Sequence, residues 1–366
     1  MNPALGLAWL AHETGRDLQH GVRSAGGVRA LWEGGAAVLG RALRLSSAEA
    51  ADVHRAIRAV QPDQLQSEVA KRGQRFIARD DAAYPVGLRD LFDPPFGLFV
   101  ADDAPQAFDA ISGRPLIAIV GARRASAEGM SFAEGLASAL VGRGATVVSG
   151  MARGIDTAAH RGAIAAGGHT IAILGCGVDV AYPASNRALH GLIATHGMVA
   201  SEYWPGTRPA PWRFPARNRI VAGLCDCVVV VEAGDRSGAL ITADFALELG
   251  RPVLAVPGRP RSTLVAGCHA LIRSGAALCE AVDDVIAEVP HLGWKDALPV
   301  VDVETEFGAA ILEGLADGPR SRDELAGELG APAGDVGASL AEFEIAGLVR
   351  LTGGRAYLIA ARGGPR

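Results

Sequence analysis

Three loops and one basic, ring-rich stretch hold the residues of this chain that are equipped for chemistry. The loops read Gly121-Ala122-Arg123-Arg124-Ala125-Ser126, Ser149-Gly150-Met151-Ala152-Arg153-Gly154-Ile155-Asp156 and Glu232-Ala233-Gly234-Asp235-Arg236-Ser237-Gly238-Ala239. Each follows a short apolar run and leads into a helical segment. Small residues let a backbone close on a phosphate, the first N–H groups of a helix point at it, and an arginine neutralises it. Ordinary turns use Gly and Ser as well, so one such loop carries little weight. Three at one sheet edge, each with an arginine, describe an anion-binding groove.

Residues 203–219, YWPGTRPAPWRFPARNR, carry Arg208, Arg213, Arg217 and Arg219 and no acidic residue. Tyr203, Trp204, Trp212 and Phe214 are interleaved with them, although aromatics are only 5% of the chain. Four prolines (205, 209, 211 and 215) are expected to keep the stretch extended. Rings that stack bases for about 1–3 kcal/mol each, beside arginines that follow a backbone, are what a single strand needs. A duplex has no unstacked base to offer. The plainer alternative is a surface loop pinned to the core by its rings.

Other chemistries lack their residues. Lys71 and Lys295 are the only lysines and neither follows a glycine, so no phosphate-binding loop of the G-x-x-x-x-G-K-[ST] kind exists. The nearest dinucleotide fingerprint, Gly175-Cys176-Gly177-Val178-Asp179-Val180, fails at its third glycine, and Glu202 is not in an obvious ribose position. Neither a G-x-S-x-G elbow nor H-E-x-x-H occurs. Cys176, Cys225, Cys227, Cys268 and Cys279 have neither metal-site spacing nor an even count, which fits a reducing cytoplasm and implies no disulfide framework or zinc site. No cofactor is expected. The N-terminus lacks a basic n-region and reads as a helix, and no apolar run is unbroken enough to span a membrane.

The elements that must position the loops are legible as a rhythm. LIAIV (116–120), TVVS (146–149), TIAIL (170–174), MVAS (198–201), CVVVV (227–231) and PVLAV (252–256) are continuous apolar runs, as in strands buried on both faces. Helical stretches at 128–143, 156–166, 185–196 and 242–249 alternate with them. The pattern predicts a doubly wound parallel α/β sheet over residues 73–290, with ligands at the carboxyl ends of its strands. Before it, residues 1–72 read as a small helical domain, with Ser46 and Glu49 in a capping box. After a linker near 290–305, residues 300–366 read as three helices and a hairpin around Gly353-Gly354, a winged-helix domain. Its presumed recognition helix (333–347) holds Asp335, Glu342 and Glu344 and no Lys or Arg, which suits a protein contact better than phosphate.

Net charge is −5, but residues 280–366 alone carry −9, leaving +4 on residues 1–279. The part with the loops is the basic part. Arginines number 33, and arginine suits bidentate phosphate contact.

Taken together, the motifs AIVGARRAS, VVSGMARGIDTAAHRGAI, ILGCGVDVAYPASNRAL, SEYWPG, FPARNRIVAGL, VVVVEAGDRSGALITA and AVPGRPRS resemble, in order and spacing, the DNA-processing protein A (DprA/Smf) family. YPVGLRDLFDPPFGLFVAD (84–102) looks like that family's entry to its extended Rossmann domain. The resemblance implies a protein of natural transformation that binds single-stranded DNA and loads the RecA recombinase, with a sterile-alpha-motif-like N-terminal domain and a winged-helix C-terminal domain. It places Gly121, Ala122, Arg123, Arg124, Ser149, Gly150, Arg153, Phe214, Arg217, Asn218, Arg219, Ser237 and Gly238 on the DNA groove, to which the loop and stretch readings add Arg213 and Arg236. It also implies a homodimer and recombinase-facing surface near 267–278, with His269, Ile272 and Leu278. Ala122 departs from the family, whose members often carry serine there. The competing reading is a nucleoside-monophosphate phosphoribohydrolase of related fold, but its P-G-G-x-G-T-x-x-E loop is replaced here by 232–242, without the PGG or the later glutamate. Glu202 and Asp156 are the carboxylates placed to serve such chemistry, or to hold the groove's arginines.

Overall fold

The computed structural model describes residues 2–60, 62–101, 113–295, 306–316, 318–345 and 348–358. The chain divides into two compact units, Met1–Trp294 and Lys295–Arg366. The expected linker lies, from residue 296 onward, outside the described residues.

Six short helices come first: α1 (Pro3–Thr14), α2 (Gln19–Ala25), α3 (Val28–Glu33), α4 (Ala36–Leu43), α5 (Ser47–Ala59) and α6 (Pro62–Lys71). Their starts are set locally. Asn2 accepts from Ala4 N at 2.9 Å, with Pro3 in the first turn where its missing N–H is not needed. Ser46 and Glu49 cap α5 reciprocally, as the sequence predicts. α1 is apolar on two sides, which requires two partners. Leu7 and Leu10 join Leu31, Trp32 and Leu39 in a helical core, whereas Leu5 and Ala8 pack with Leu65, Val69, Phe99 and Trp204.

The sheet follows as β1 (Gln74–Ala78), β2 (Gly97–Ala101), β3 (Leu116–Val120), α7 (Ala127–Gly142), β4 (Thr146–Ser149), α8 (Ile155–Ala165), β5 (Thr170–Ile173), α9 (Arg187–His196) and β6 (Met198–Ser201). It continues with α10 (Arg213–Leu224), β7 (Cys227–Val230), α11 (Gly238–Glu248), β8 (Val253–Ala255), α12 (Ala266–Arg273), β9 (Ala277–Leu278) and α13 (Val282–Glu288). Strand order is β1-β2-β6-β5-β4-β3-β7-β8-β9. Pairing is parallel from β6 through to β9, and β2 meets both β1 and β6 antiparallel.

Period-2 geometry explains the continuous apolar runs. Ile117 and Ile119 of β3 enter one core with Leu136, Leu140 and Ile155, while Ala118 and Val120 enter the other with Ile220, Val221 and Ala243. β7 repeats the division, Cys227 and Val229 against Val228 and Val230. Ile117 and Ile119 are 0% exposed and contribute about 1.5–3 kcal/mol each. All five cysteines are buried free thiols.

Two expectations needed correction. Residues 213–219 are not extended but open α10, because Pro215 sits in the first helical turn, where no intrahelical N–H bond is lost. α11 begins at Gly238, four residues before the expected helix, capped by Ser237. In the second unit, α14 (Glu306–Ala316), β10 (Arg320–Ser321), α15 (Arg322–Leu329), α16 (Ala333–Ile345), β11 (Val349–Thr352) and β12 (Arg355–Leu358) give three helices and a small sheet, β10-β12-β11. Leu325, Val336, Leu340 and Phe343 form its core. Among the described residues no helix is long and apolar enough to cross a membrane.

His160 of α8 is fully buried, with Nδ1 2.7 Å from Thr170 Oγ1, whose own proton goes to Val147 O. Burial first, then the nearby Arg217 charge, holds the imidazole down to about 3. An unfolded histidine titrates near about 6.5. Between those values the unfolded chain binds a proton that the folded chain refuses, so the stability present above about pH 6.5 falls toward acid, by up to about 1.4 kcal/mol per pH unit. Urea midpoints from pH 7 to 4.5 should show this slope, and His160→Gln should flatten it. An equal slope in that variant places the titration elsewhere.

Candidate nucleic-acid groove

β4, β3 and β7 are neighbours at the centre of the sheet. The chain winds from β3 through β4, β5 and β6 on one side, and β7 returns on the other. That reversal opens a crevice outside the strands' carboxyl ends, where such sheets take ligands. The three arginine-bearing loops lead out of these three strands. A cavity of ≈410 Å³ lies among them, lined by Gly121 to Arg124, by Gly150, Ala152 and Asp156, by residues 234–239, and by Phe214, Pro215, Arg217 and Asn218 of α10.

The loops are held in place by polar side chains. Ser126 caps α7 by accepting from Gly129 N at 2.9 Å. Glu232 in turn fixes Ser126, accepting from its N at 2.9 Å and its Oγ at 2.6 Å. Ser237 caps α11. α8 starts from Gly154 at φ 76°, where a Cβ would also strike the Ala122 carbonyl. Helix N-termini with unsatisfied N–H groups carry partial positive charge. The starts of α8, α10 and α11 border one cavity, together with the exposed Arg123, Arg124 and Arg236.

Arg217 forms the floor. It is 4% exposed, and its Nη1 donates to Gly150 O at 2.7 Å and to Ile173 O. Its Nε donates to Asn218 Oδ1 at 3.1 Å, and Asn218 Nδ2 reaches Gly238 O at 3.0 Å, tying α10 to α11. Asp156 Oδ2 accepts from Gly150 N at 3.1 Å and Ala152 N at 3.2 Å. Burial raises the Asp156 carboxyl and lowers the Arg217 guanidinium, and each partner's charge opposes the other's shift. A side chain at Gly150 would collide with that guanidinium.

Above the floor stands a ring pair. Phe214 stacks on Tyr182 with centroids 5.2 Å apart and planes at 27°, and the Arg123 guanidinium carbon lies 5.2 Å from the Phe214 centroid. Tyr182, 39% exposed, was missed by sequence reasoning. The available signal was an aromatic just before the helix that starts at Arg187.

Of the residues expected on the groove, Gly121, Ala122, Arg123, Arg124, Gly150, Phe214, Arg217, Asn218, Arg236, Ser237 and Gly238 line this one cavity. Ser149 is buried below it, its Oγ donating to Ile119 O at 2.7 Å, and Arg153 is exposed on the second loop without lining the cavity. Arg213 and Arg219 turn elsewhere. Arg219 donates to Glu202 Oε2 at 2.7 Å and Asp93 Oδ2 at 3.1 Å, with 7% side-chain exposure. Burial opposes its charge, but Glu202 and Asp93 outweigh burial and hold it protonated. Arg213 covers Tyr203 and Trp212, at 5.1 and 4.8 Å from their centroids. Trp204 is a core pin, 4% exposed and edge-on to Phe99. Of the two carboxylates weighed for catalysis, only Asp156 lies at the cavity.

At the sheet edge, His269 on α12 hydrogen-bonds Gly258 O at 3.1 Å, Ile272 is half-buried against the core, and Leu278 on β9 is 41% exposed. No group of His, Cys, Asp and Glu among the described residues is placed to hold a metal ion.

Residues 75–290 match the family model for DNA recombination-mediator protein A, and residues 304–355 match that for the DprA winged helix domain. The putative DNA processing protein DprA of Mycobacterium tuberculosis is 40% identical over 311 residues, covering 80% of this chain and 79% of that protein. The Streptococcus pneumoniae DprA is 45% identical over 228 residues, 61% of this chain and 77% of its own. Its X-ray structure aligns with a TM-score of 0.60 at 36% identity, covering 73% of this chain and 95% of that one. A structure addressing the single-stranded DNA binding mode of DNA processing protein A from Helicobacter pylori aligns with a TM-score of 0.52 at 27% identity, over 60% of this chain and 96% of that one.

The ion-pair geometry makes Arg219 a stability residue. Arg219→Ala should cost about 3 kcal/mol, chiefly by stranding the largely buried Glu202 carboxylate, read as a lower denaturant midpoint. A variant as stable as the parent would show that the pair is solvated.

Proposed function

The chain belongs to the DNA recombination-mediator protein A family, and from that premise we propose that its central groove binds single-stranded DNA and performs no catalysis. The observation that carries the reading is one cavity combining the starts of α8, α10 and α11, three exposed arginines and the Phe214 ring, which stacks on Tyr182. Phosphates meet the N–H groups and Arg123, Arg124 and Arg236, and a base stacks at Phe214 and Tyr182. The Helicobacter relative's described binding mode agrees in ligand class. Asp156 supports binding over hydrolysis, since its Oδ2 is committed to two backbone N–H groups under the Arg217 charge.

The strand so held passes to a RecA-type recombinase, the partner that a mediator's role in transformation and recombination calls for. Assembly is a two-fold homodimer through α12 and β9, where an unpaired strand edge and the exposed Leu278 adjoin His269 and Ile272. The acidic α16 suits a protein contact, because Asp335, Glu342 and Glu344 repel phosphate.

Titration of single-stranded and duplex oligonucleotides of equal length at two salt concentrations tests the central claim. Single strands should bind more tightly, and equal affinity sinks it. Arg123→Ala should shallow the salt slope by about 0.7, one counterion's share on a single strand. Phe214→Ala should weaken binding by about 1–3 kcal/mol with its melting curve unchanged. A lower melting temperature with intact affinity would make that ring a core pin. Incubation with AMP should release no adenine.

Leu278→Asp, on an exposed edge and so compatible with folding, should give monomers by light scattering. It should still bind a short oligonucleotide, but lose the tighter binding of long strands that two linked sites provide. An unchanged dimer places the interface elsewhere.

A further inference from the structure

A second cavity, of ≈680 Å³, lies behind α10, on the side opposite the groove. It belongs to the first compact unit, with walls from α1, the 92–96 segment, the 202–212 loop and the inner face of α10. Its volume falls within the range of about 300–1,000 Å³ typical of small-molecule sites.

The wall chemistry is selective. Phe92, Tyr203 and Trp212 present rings, and Phe92 and Trp212 are 82% and 61% exposed. Exposed rings of that size on a folded chain mark a binding surface when they gather at one rim. A planar π-cation already lies on two of them, since Arg213 sits over both Tyr203 and Trp212. The polar groups offer donors and acceptors but little net charge. Arg219 is 94% buried in the wall, with Glu202 and Asp93 as its partners and Nη1 left without one. Its positive charge is therefore already answered, so a phosphate gains nothing there, whereas an uncharged acceptor does. Burial pushes the Tyr203 phenol up, so it stays protonated and able to donate.

We propose that this cavity is a nucleobase pocket: it takes a flat, uncharged heteroaromatic ring carrying hydrogen-bond acceptors. Two sources supply such a ring, a free nucleoside or a base of the bound strand. Arg213 and Phe214 are consecutive residues at the start of α10, one lining each cavity. A strand crossing that helix end can turn one base into the pocket while its neighbour stacks on Phe214. Only this second source rests on the groove reading.

The test titrates 2-aminopurine deoxyriboside into the full chain, following the probe's fluorescence, with and without saturating oligothymidylate. Phe92→Ala, at an exposed ring that folding does not need, and Ala11→Trp, which fills the cavity, should each weaken the nucleoside by about fivefold or more, the lower end of one lost stack. Arg123→Ala should leave nucleoside binding intact while weakening oligothymidylate. Displacement by oligothymidylate means that the strand supplies the base, and simultaneous binding means a free nucleoside; both support the pocket. Absence of nucleoside binding, or binding untouched by both variants, overturns it. In that event strand binding that still responds to Arg123→Ala leaves the groove reading standing.

Discussion

A full positive charge with 4% of its surface exposed needs partners on every side, and Arg217 has them. It joins the end of β4 through Gly150 O, the end of β5 through Ile173 O, and α11 through Asn218. Asp156 supplies the counter-charge from the start of α8. Removing a buried charge's partners leaves desolvation uncompensated, so these elements hold one relative placement or none. The loops that line the groove inherit their positions from that requirement. Gly150 is part of the same constraint, because the guanidinium occupies the space where a side chain would be.

Arg217 and Arg219 divide the labour of α10. Two residues along a helix are about 200° apart around its axis, so one faces the groove floor and the other the cavity behind. Each is neutralised by acids from different elements: Asp156 on one side, Glu202 and Asp93 on the other. The helix is thereby clamped from both faces, and its first turn, carrying Arg213 and Phe214, is presented to solvent at a fixed angle.

The same geometry explains what the sequence disclosed and what it withheld. The parallel strands were legible because each is buried on both faces, so its apolar run is uninterrupted; all six runs match their strands to within one residue at either end. The loops were legible as a set, because three strand ends repeat the same small residues beside an arginine. Residues 213–219 were misread because four prolines suggested an extended chain, in which Arg213, Arg217 and Arg219 share one side at period 2. The helix starts within that run and sends them apart. Pro215 followed by nine residues without another proline was the signal for a helix first turn. β1 and β2 were not separated from their loop by composition, since Gly97 and Arg75 interrupt the pattern that marks the parallel strands.

The five buried cysteines carry a chemical consequence of their own. Desolvation pushes the thiols of Cys176 and Cys268 up to about 11 and that of Cys279 to about 12, and raises Cys225 and Cys227 as well. Peroxide attacks the thiolate, not the thiol. A chain whose sulfhydryls stay protonated and shielded gives an oxidant no purchase on them. Its fold should therefore persist at peroxide levels that would oxidise an exposed thiolate.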